Sequence, residues 1–299
     1  MTLLSRTGYA PERKIQYPVP RHINYDQISI VVPVKNNQSG INRLLSSLEN
    51  IYQSGQRFLE VIVVDNLSAS PIVLEEQYSF RLTLCVCSVP GPAGARNFGS
   101  SHADGEWLLF IDSDCTPTDS AISGYCKSDN KHLAYAGNVV VENIDILSKY
   151  YSDQEILIPP KTLDRGGERP DYLITANCLV LKSAFQNVGG FDESFFLAGG
   201  EDIDLGFKLL CHGSIDYQWN SVVKHSFSDG LEGFLNRFRR YGIGNQILSR
   251  KYNLNLTPRP FIPCKFSLPN LLFSVLQYLS MKRGYSELLE LQLVDAEKA

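Results

Sequence analysis

At 299 residues, with 43% hydrophobic and 20% charged side chains, the chain can bury the core of one large globular domain, or of one domain with an appendage. A formal net charge of −4 argues against nucleic acid as a partner. Seven cysteines, an odd number without a Cys-x-x-Cys pair, exclude a disulfide scaffold and a zinc ribbon, and suit core thiols in a reducing, cytoplasmic setting.

Residues 1–27 carry charges and prolines but no apolar segment of the signal-peptide kind, and read as a partly ordered arm. From Ile28 strands and helices alternate. Ile28 to Val34 is a continuous apolar strand. Gly40 to Ile51 has apolar residues at 41, 44, 45, 48 and 51, the spacing of a one-faced helix. Phe58 to Val64 predicts a strand that stops at Asp65, and Arg81 to Val86 another. Ala93 to His102 reads as a helix, and Trp107 to Ile111 as a fully buried strand. Such alternation predicts a doubly wound, mainly parallel sheet.

The second half is less regular. Leu133 to Val141 predicts a strand, and Asp145 to Asp171, with its prolines, glycines and charges, a long loop with room for one helical turn. Tyr172 to Leu181 reads as a strand containing Asn177. Glu201 to Cys211 and Leu231 to Leu248 read as helices. The last apolar stretch, Leu268 to Leu279, is too short to span a bilayer and contains Pro269, Asn270 and Gln277. It predicts an amphipathic helix docked on the domain or on a second copy of the chain, with peripheral contact to a membrane surface as the alternative.

Two predicted strands end in acids. Trp107-Leu-Leu-Phe-Ile-Asp-Ser-Asp114 is the more informative, because a strand buried on both faces ends in carboxylates only where its end opens into a cleft. Asp112 and Asp114 can then face one ligand, and two hard oxygen donors suit a divalent cation that also touches phosphates. Asp-Ser-Asp is also ordinary turn chemistry, and Asp65 an ordinary cap. Glu201 and Asp202 open a helix after Gly199-Gly200, where the helix dipole favours acids in any case.

Taken in order, these motifs resemble a nucleotide-sugar glycosyltransferase of the GT-A fold, family 2, over residues 28–248. The resemblance implies three parts: an arm at 1–27, the transferase domain at 28–248 and a helical appendage at 249–299. It places Pro33, Val34 and Lys35 at the nucleotide, and Asp65 on the base. Arg96, in Gly94-Ala-Arg-Asn97, would lie beside the phosphates, and Asp112 and Ser113 at the donor. Asp114 and His225 would be ligands of Mn²⁺ or Mg²⁺, and Asn177 would line the donor sugar. Asp202 would be the general base of an inverting displacement, with Glu201 orienting an acceptor hydroxyl or holding its loop. Lys35 stands where the family often has a base-stacking aromatic, which leaves the base open, although a UDP-sugar is the first expectation. The acceptor implied is a glycan, a lipid-linked sugar or a small glycoside, and the setting is cytoplasmic or the inner face of a membrane. Two other readings stay in play: a degenerate, non-catalytic scaffold, and a nucleotidyltransferase, against which the missing Gly-rich loop after the first strand argues.

Overall fold

The computed structural model describes residues 18–74, 77–127, 130–164 and 167–296, and most of residues 1–27 lie outside them. The chain forms two compact units. The first comprises Met1–Val140, Leu157–Glu193 and Asp202–Ser226; the second comprises Val141–Ile156, Ser194–Glu201 and Phe227–Ala299.

The first unit is built on a mixed eight-stranded sheet flanked by helices, the α/β architecture expected of a GT-A domain. Its parallel half holds β1 (Ile28–Val34), β2 (Glu60–Asp65), β3 (Arg81–Val86) and β4 (Trp107–Ile111) in the order β3-β2-β1-β4. Helices α1 (Gln38–Gln53) and α2 (Pro92–His102) belong to the crossovers. α1 forms as its periodicity predicts: Ile41, Leu44, Leu45, Leu48 and Ile51 are buried, and the Asn37 side chain accepts from the Gly40 amide to cap its start. Each such Leu or Ile contributes about 1.5–3 kcal/mol by leaving water. Register sets Val34 against Asp65 and Val31 against Phe110, so β1, β2 and β4 emerge at one edge of the sheet.

Beyond β4 the sheet turns antiparallel. β9 (Asn177–Leu181) pairs β4 with Asn177 opposite Ile111, and β6 (Ala134–Val141) pairs β9. β10 (Ile215–His225) and the short β5 (Cys115–Pro117) complete the order β4-β9-β6-β10-β5. The segment expected to be one long loop is more ordered than its composition suggests. Asp145 accepts from the Leu147 and Ser148 amides and caps a helix, α3 (Ile146–Asp153). β7 (Lys161–Asp164) pairs antiparallel with β8 (Gly167–Pro170). The strand expected from Tyr172 begins only at Asn177. Two short helices follow: α4 (Lys182–Asn187) and α5 (Glu201–Leu210).

The second unit is helical. It contains α3, α6 (Gly230–Tyr252) and α7 (Leu268–Ala296), and α6 runs unbroken through 248–249, where the appendage was expected to begin. Its aromatic centre includes Tyr151 stacked on Phe227 at 3.8 Å, with Phe234 and Phe238 against Tyr151. The buried Arg237 donates to the Tyr151 hydroxyl at 2.6 Å and to Asp229 at 2.9 Å, so this cation is paired and hydrogen-bonded.

Candidate active site

The open edge of the sheet gathers the loops after β1, β2 and β4, and asparagines join them. Asn36, held at φ 53°, accepts from the Ala69 amide at 2.7 Å, while its own amide donates to the Ser68 hydroxyl. Asn37 donates to the carbonyl of Ser113 at 3.1 Å. Gly40 is required beside it, because a Cβ there would lie 2.4 Å from that same carbonyl oxygen. Asn66 accepts from the Gly91 amide and donates to Val89, which sets the entry into α2. Sequence reasoning passed over these asparagines. The available signal was their type, since Asn tolerates left-handed backbone and ties turns with its own side chain.

Asp65 is buried at the end of β2. Its two carboxylate oxygens accept from the Ser68 amide at 3.0 Å and the Ile72 amide at 3.1 Å. Burial pushes its carboxyl up, but the hydrogen bonds from Ser68 and Ile72 outweigh it and hold the group below its ordinary value. The residue therefore folds the 65–72 loop, whatever else it contacts. Asp65→Ala is expected to destabilise the protein by about 1–3 kcal/mol in urea unfolding, because it removes the buried acceptor of the Ser68 and Ile72 amides. An unchanged midpoint would remove Asp65 from this role.

The two acids after β4 have separate partners. Arg96, 3% exposed on α2, donates to Asp112 Oδ1 at 2.6 Å and lies over the Phe191 ring. Asp114 instead lies against His225, Oδ2 to Nε2 at 3.3 Å. That second pair depends on β5 and β10, whose antiparallel register sets His225 opposite Cys115, and on the Ser226 amide donating to the Asp114 carbonyl. Asp114, Cys115 and His225 offer donor atoms that lie within 4.8 Å of one another. Two donors of one divalent ion, each about 2.1 Å from it at right angles, stand about 3 Å apart, so Asp114 and His225 fit such an ion as they stand. Cys115 is buried with its thiol toward the Ala176 carbonyl at 3.6 Å.

Asn177 stands at the start of β9. It is 1% exposed, accepts from the Tyr125 hydroxyl at 2.9 Å and donates to Asn138 and Ser221. Its amide stitches β9 to neighbouring segments. Pro33 is half-buried, Val34 buried and Lys35 exposed at the strand end. Cys178, next to Asn177, has its thiol pushed up by burial, with Arg96 pulling it down and Asp202 and Asp112 pushing it further.

At the start of α5 the two acids also differ. Glu201 is buried and accepts from the Gly199 amide at 2.7 Å, which holds the turn through Gly199 and Gly200. Both glycines have positive φ, 142° and 99°, a region that costs other residues strain. Asp202 is half-buried, with Oδ1 accepting from the Ile203 amide at 2.9 Å. Of the pair, it is the more exposed acid.

The profile of "Glycosyl transferase family 2" matches residues 29–189. A pre-mycofactocin glycosyltransferase of Mycobacterium tuberculosis is 29% identical over 240 residues, which is 75% of this chain and 47% of that protein. The chain thus spans about half the length of that curated relative. A glucosyltransferase of Campylobacter jejuni, named for a GalNAc(5)-diNAcBac-PP-undecaprenol acceptor, is 27% identical over 57% of this chain and 56% of its own. Among solved structures, a Pyrobaculum calidifontis mannosyltransferase in complex with GDP-Man and Mn²⁺ superposes with a TM-score of 0.51 at 16% identity. It covers 95% of this chain and 77% of that one. GalNAc-T7 with UDP, GalNAc and Mn²⁺ gives 0.55 at 14%, over 85% of this chain and 55% of that one. Those likenesses support the fold; the profile match over more than half of the sequence shows that the chain belongs to glycosyl transferase family 2.

Proposed function

We propose that this protein is a divalent-metal-dependent, inverting glycosyltransferase that moves a sugar from a nucleoside diphosphate sugar to a hydroxyl of a glycan, lipid-linked sugar or small glycoside. The observation that carries the reading is the division of labour between the acids after β4: Arg96 engages Asp112, while Asp114 meets His225. Asp114 and His225 would hold Mn²⁺ or Mg²⁺, a mixed oxygen–nitrogen set that admits either. When bound, the ion supplies positive charge for the departing pyrophosphate. The structures with GDP-Man or UDP and Mn²⁺ lend support from proteins of the same fold.

The residues of this chain then divide the remaining work. Arg96 fixes the Asp112 carboxylate at 2.6 Å, so that Asp112 presents its other oxygen to the donor's ribose. Asp65 contacts the base, uniformly in ground and transition states, so Asp65→Ala should also raise KM while largely keeping kcat. Asp202 accepts the proton of the acceptor hydroxyl as that oxygen bonds to the anomeric carbon and the bond to the pyrophosphate breaks. One such displacement inverts the anomeric centre.

Thermal unfolding with a panel of UDP-, GDP- and dTDP-sugars, with and without Mn²⁺, tests the proposal. One nucleotide class should stabilise the fold only when metal is present, by about 2.7 kcal/mol at a hundred times its Kd. Failure of every nucleotide sugar to stabilise, with either metal, would leave the scaffold reading in its place.

A further inference from the structure

The final helix is built inside out. Its buried face consists largely of polar and small residues: Asn270, Ser274, Gln277, Ser280 and Gly284, with Phe273 among them. Asn270 donates to Asp153 at 3.0 Å, and Gln277 accepts from the Tyr150 hydroxyl at 2.7 Å. α6 and α7 approach backbone to backbone through glycines. A Cβ on Gly242 would meet the Met281 carbonyl oxygen at 2.0 Å, and one on Gly284 the Arg239 carbonyl oxygen at 1.9 Å. Helices that pack in lipid use small residues and side-chain hydrogen bonds in this manner.

The apolar residues of α7 face outward instead. Leu268 is 79% exposed, Leu272 57%, Val275 47% and Leu279 52%. Their steps of four, three and four place them in one row along the helix, and the next steps on that row reach Lys282 and Arg283, both exposed. The segment leading into the helix adds Ile262 at 80% and Phe266 at 76%. A monomeric soluble protein rarely leaves so many large apolar groups together in water. No helix among the described residues is long and apolar enough to cross a membrane.

Charge decides what covers this face. From Gly233 to Ser286 the chain has no Asp or Glu but nine Lys or Arg, in a protein whose overall formal charge is −4. Arg250, Lys251, Arg259, Lys265, Lys282 and Arg283 are all exposed. Glu287, just beyond, pairs with Arg239 and Arg283. A second copy of the chain, related by a two-fold axis, would set this basic segment against itself. A surface of anionic lipid headgroups over acyl chains answers both the charge and the leucine row.

We propose that residues 261–283 form a membrane-docking face on which α7 lies in the plane of an anionic leaflet, Leu268, Leu272, Val275 and Leu279 entering the acyl boundary while the neighbouring Lys and Arg side chains meet the headgroups. The face is defined by exposure and charge and does not rest on the reaction proposed above.

Flotation of the full chain with vesicles tests it. Vesicles of phosphatidylcholine with phosphatidylglycerol should bind the protein at least tenfold more tightly than phosphatidylcholine alone, and less so in 0.5 M salt. Leu272→Gln with Leu279→Gln should weaken binding about a hundredfold, because two leucines no longer leave water. Arg259→Gln with Lys282→Gln should weaken it about thirtyfold, the loss of two cations near the surface. Neither pair should shift the melting temperature, since these side chains are exposed. Absence of binding to both vesicle types, or equal binding by all variants, overturns the proposal. So does a dimer in sedimentation equilibrium that the leucine variants dissolve, which would assign the face to a second copy.

Discussion

Asp202→Asn is expected to lower kcat by about 10²–10⁴-fold, the usual contribution of a positioned general base. The substitution removes the carboxylate charge and keeps the size of the side chain. Asp202 is half-buried at the first turn of α5, and its hydrogen bond from the Ile203 amide at 2.9 Å can be accepted equally by the amide oxygen of Asn. The melting temperature should therefore stay within a degree or two. Donor affinity should survive as well, since the proposed base faces the acceptor hydroxyl. Glu201→Gln provides the contrast. Glu201 is buried and holds the Gly199 amide at 2.7 Å, so its loss should act on the turn at Gly199-Gly200, seen as a lower melting temperature and a higher acceptor KM. Retention of the donor's anomeric configuration, read by NMR of the product, or an Asp202→Asn enzyme active within a few-fold of wild type, would overturn the assignment.

The parts of the site that sequence reading reached are those whose chemistry is local. The apolar run from Trp107 predicts a buried strand, and an acid at its end implies an opening, which is where the sheet edge lies. The α1 periodicity and the acid tip of β2 are equally local. His225 is different. Its place beside Asp114 depends on β5 pairing with β10, segments more than 100 positions apart, and no periodicity in either one announces that pairing. Only the order of motifs, taken as a family resemblance, indicated it. Arg96 and Asp112 were each singled out, but their mutual ion pair, which separates the roles of Asp112 and Asp114, needed the approach of α2 to the end of β4.

At two places residue type alone did not fix the environment. The family resemblance alone placed Asn177 at the donor sugar, through Thr175-Ala-Asn177. In the structure it satisfies neighbouring buried groups, which is what most buried amides do. The prolines and glycines between Asp145 and Asp171 suggested a loop, yet Asp145 caps α3 and Gly167 opens β8. In both places the residue type was compatible with two environments, and tertiary hydrogen bonding decided between them. The leucines of α7 invert the more general rule: a helical row of apolar residues ordinarily marks the face turned to the core, whereas here that row points outward.

Asp114→Ala is expected to abolish metal-dependent nucleotide binding while leaving the fold intact. Two neighbouring substitutions make the test selective. Asp114 is partly exposed, and its carboxylate faces His225, whereas its structural tie to β10 runs through the backbone carbonyl that accepts from Ser226. Alanine keeps that carbonyl, so unfolding by urea should move little. Asp112→Ala should behave in the opposite sense. It takes the carboxylate from a guanidinium that is 3% exposed, and so should destabilise by about 1–3 kcal/mol. Titration calorimetry of UDP and GDP in the presence of Mn²⁺ separates the two. Asp114→Ala should give no metal-dependent heat at nucleotide concentrations a hundred times the wild-type Kd, and His225→Ala should weaken binding in the same way because it removes the other donor of the pair. Unchanged Mn²⁺-dependent binding by Asp114→Ala would show that the ion, if one binds, is held elsewhere. The 3.3 Å contact with His225 would then be a structural one, closing β5 on β10.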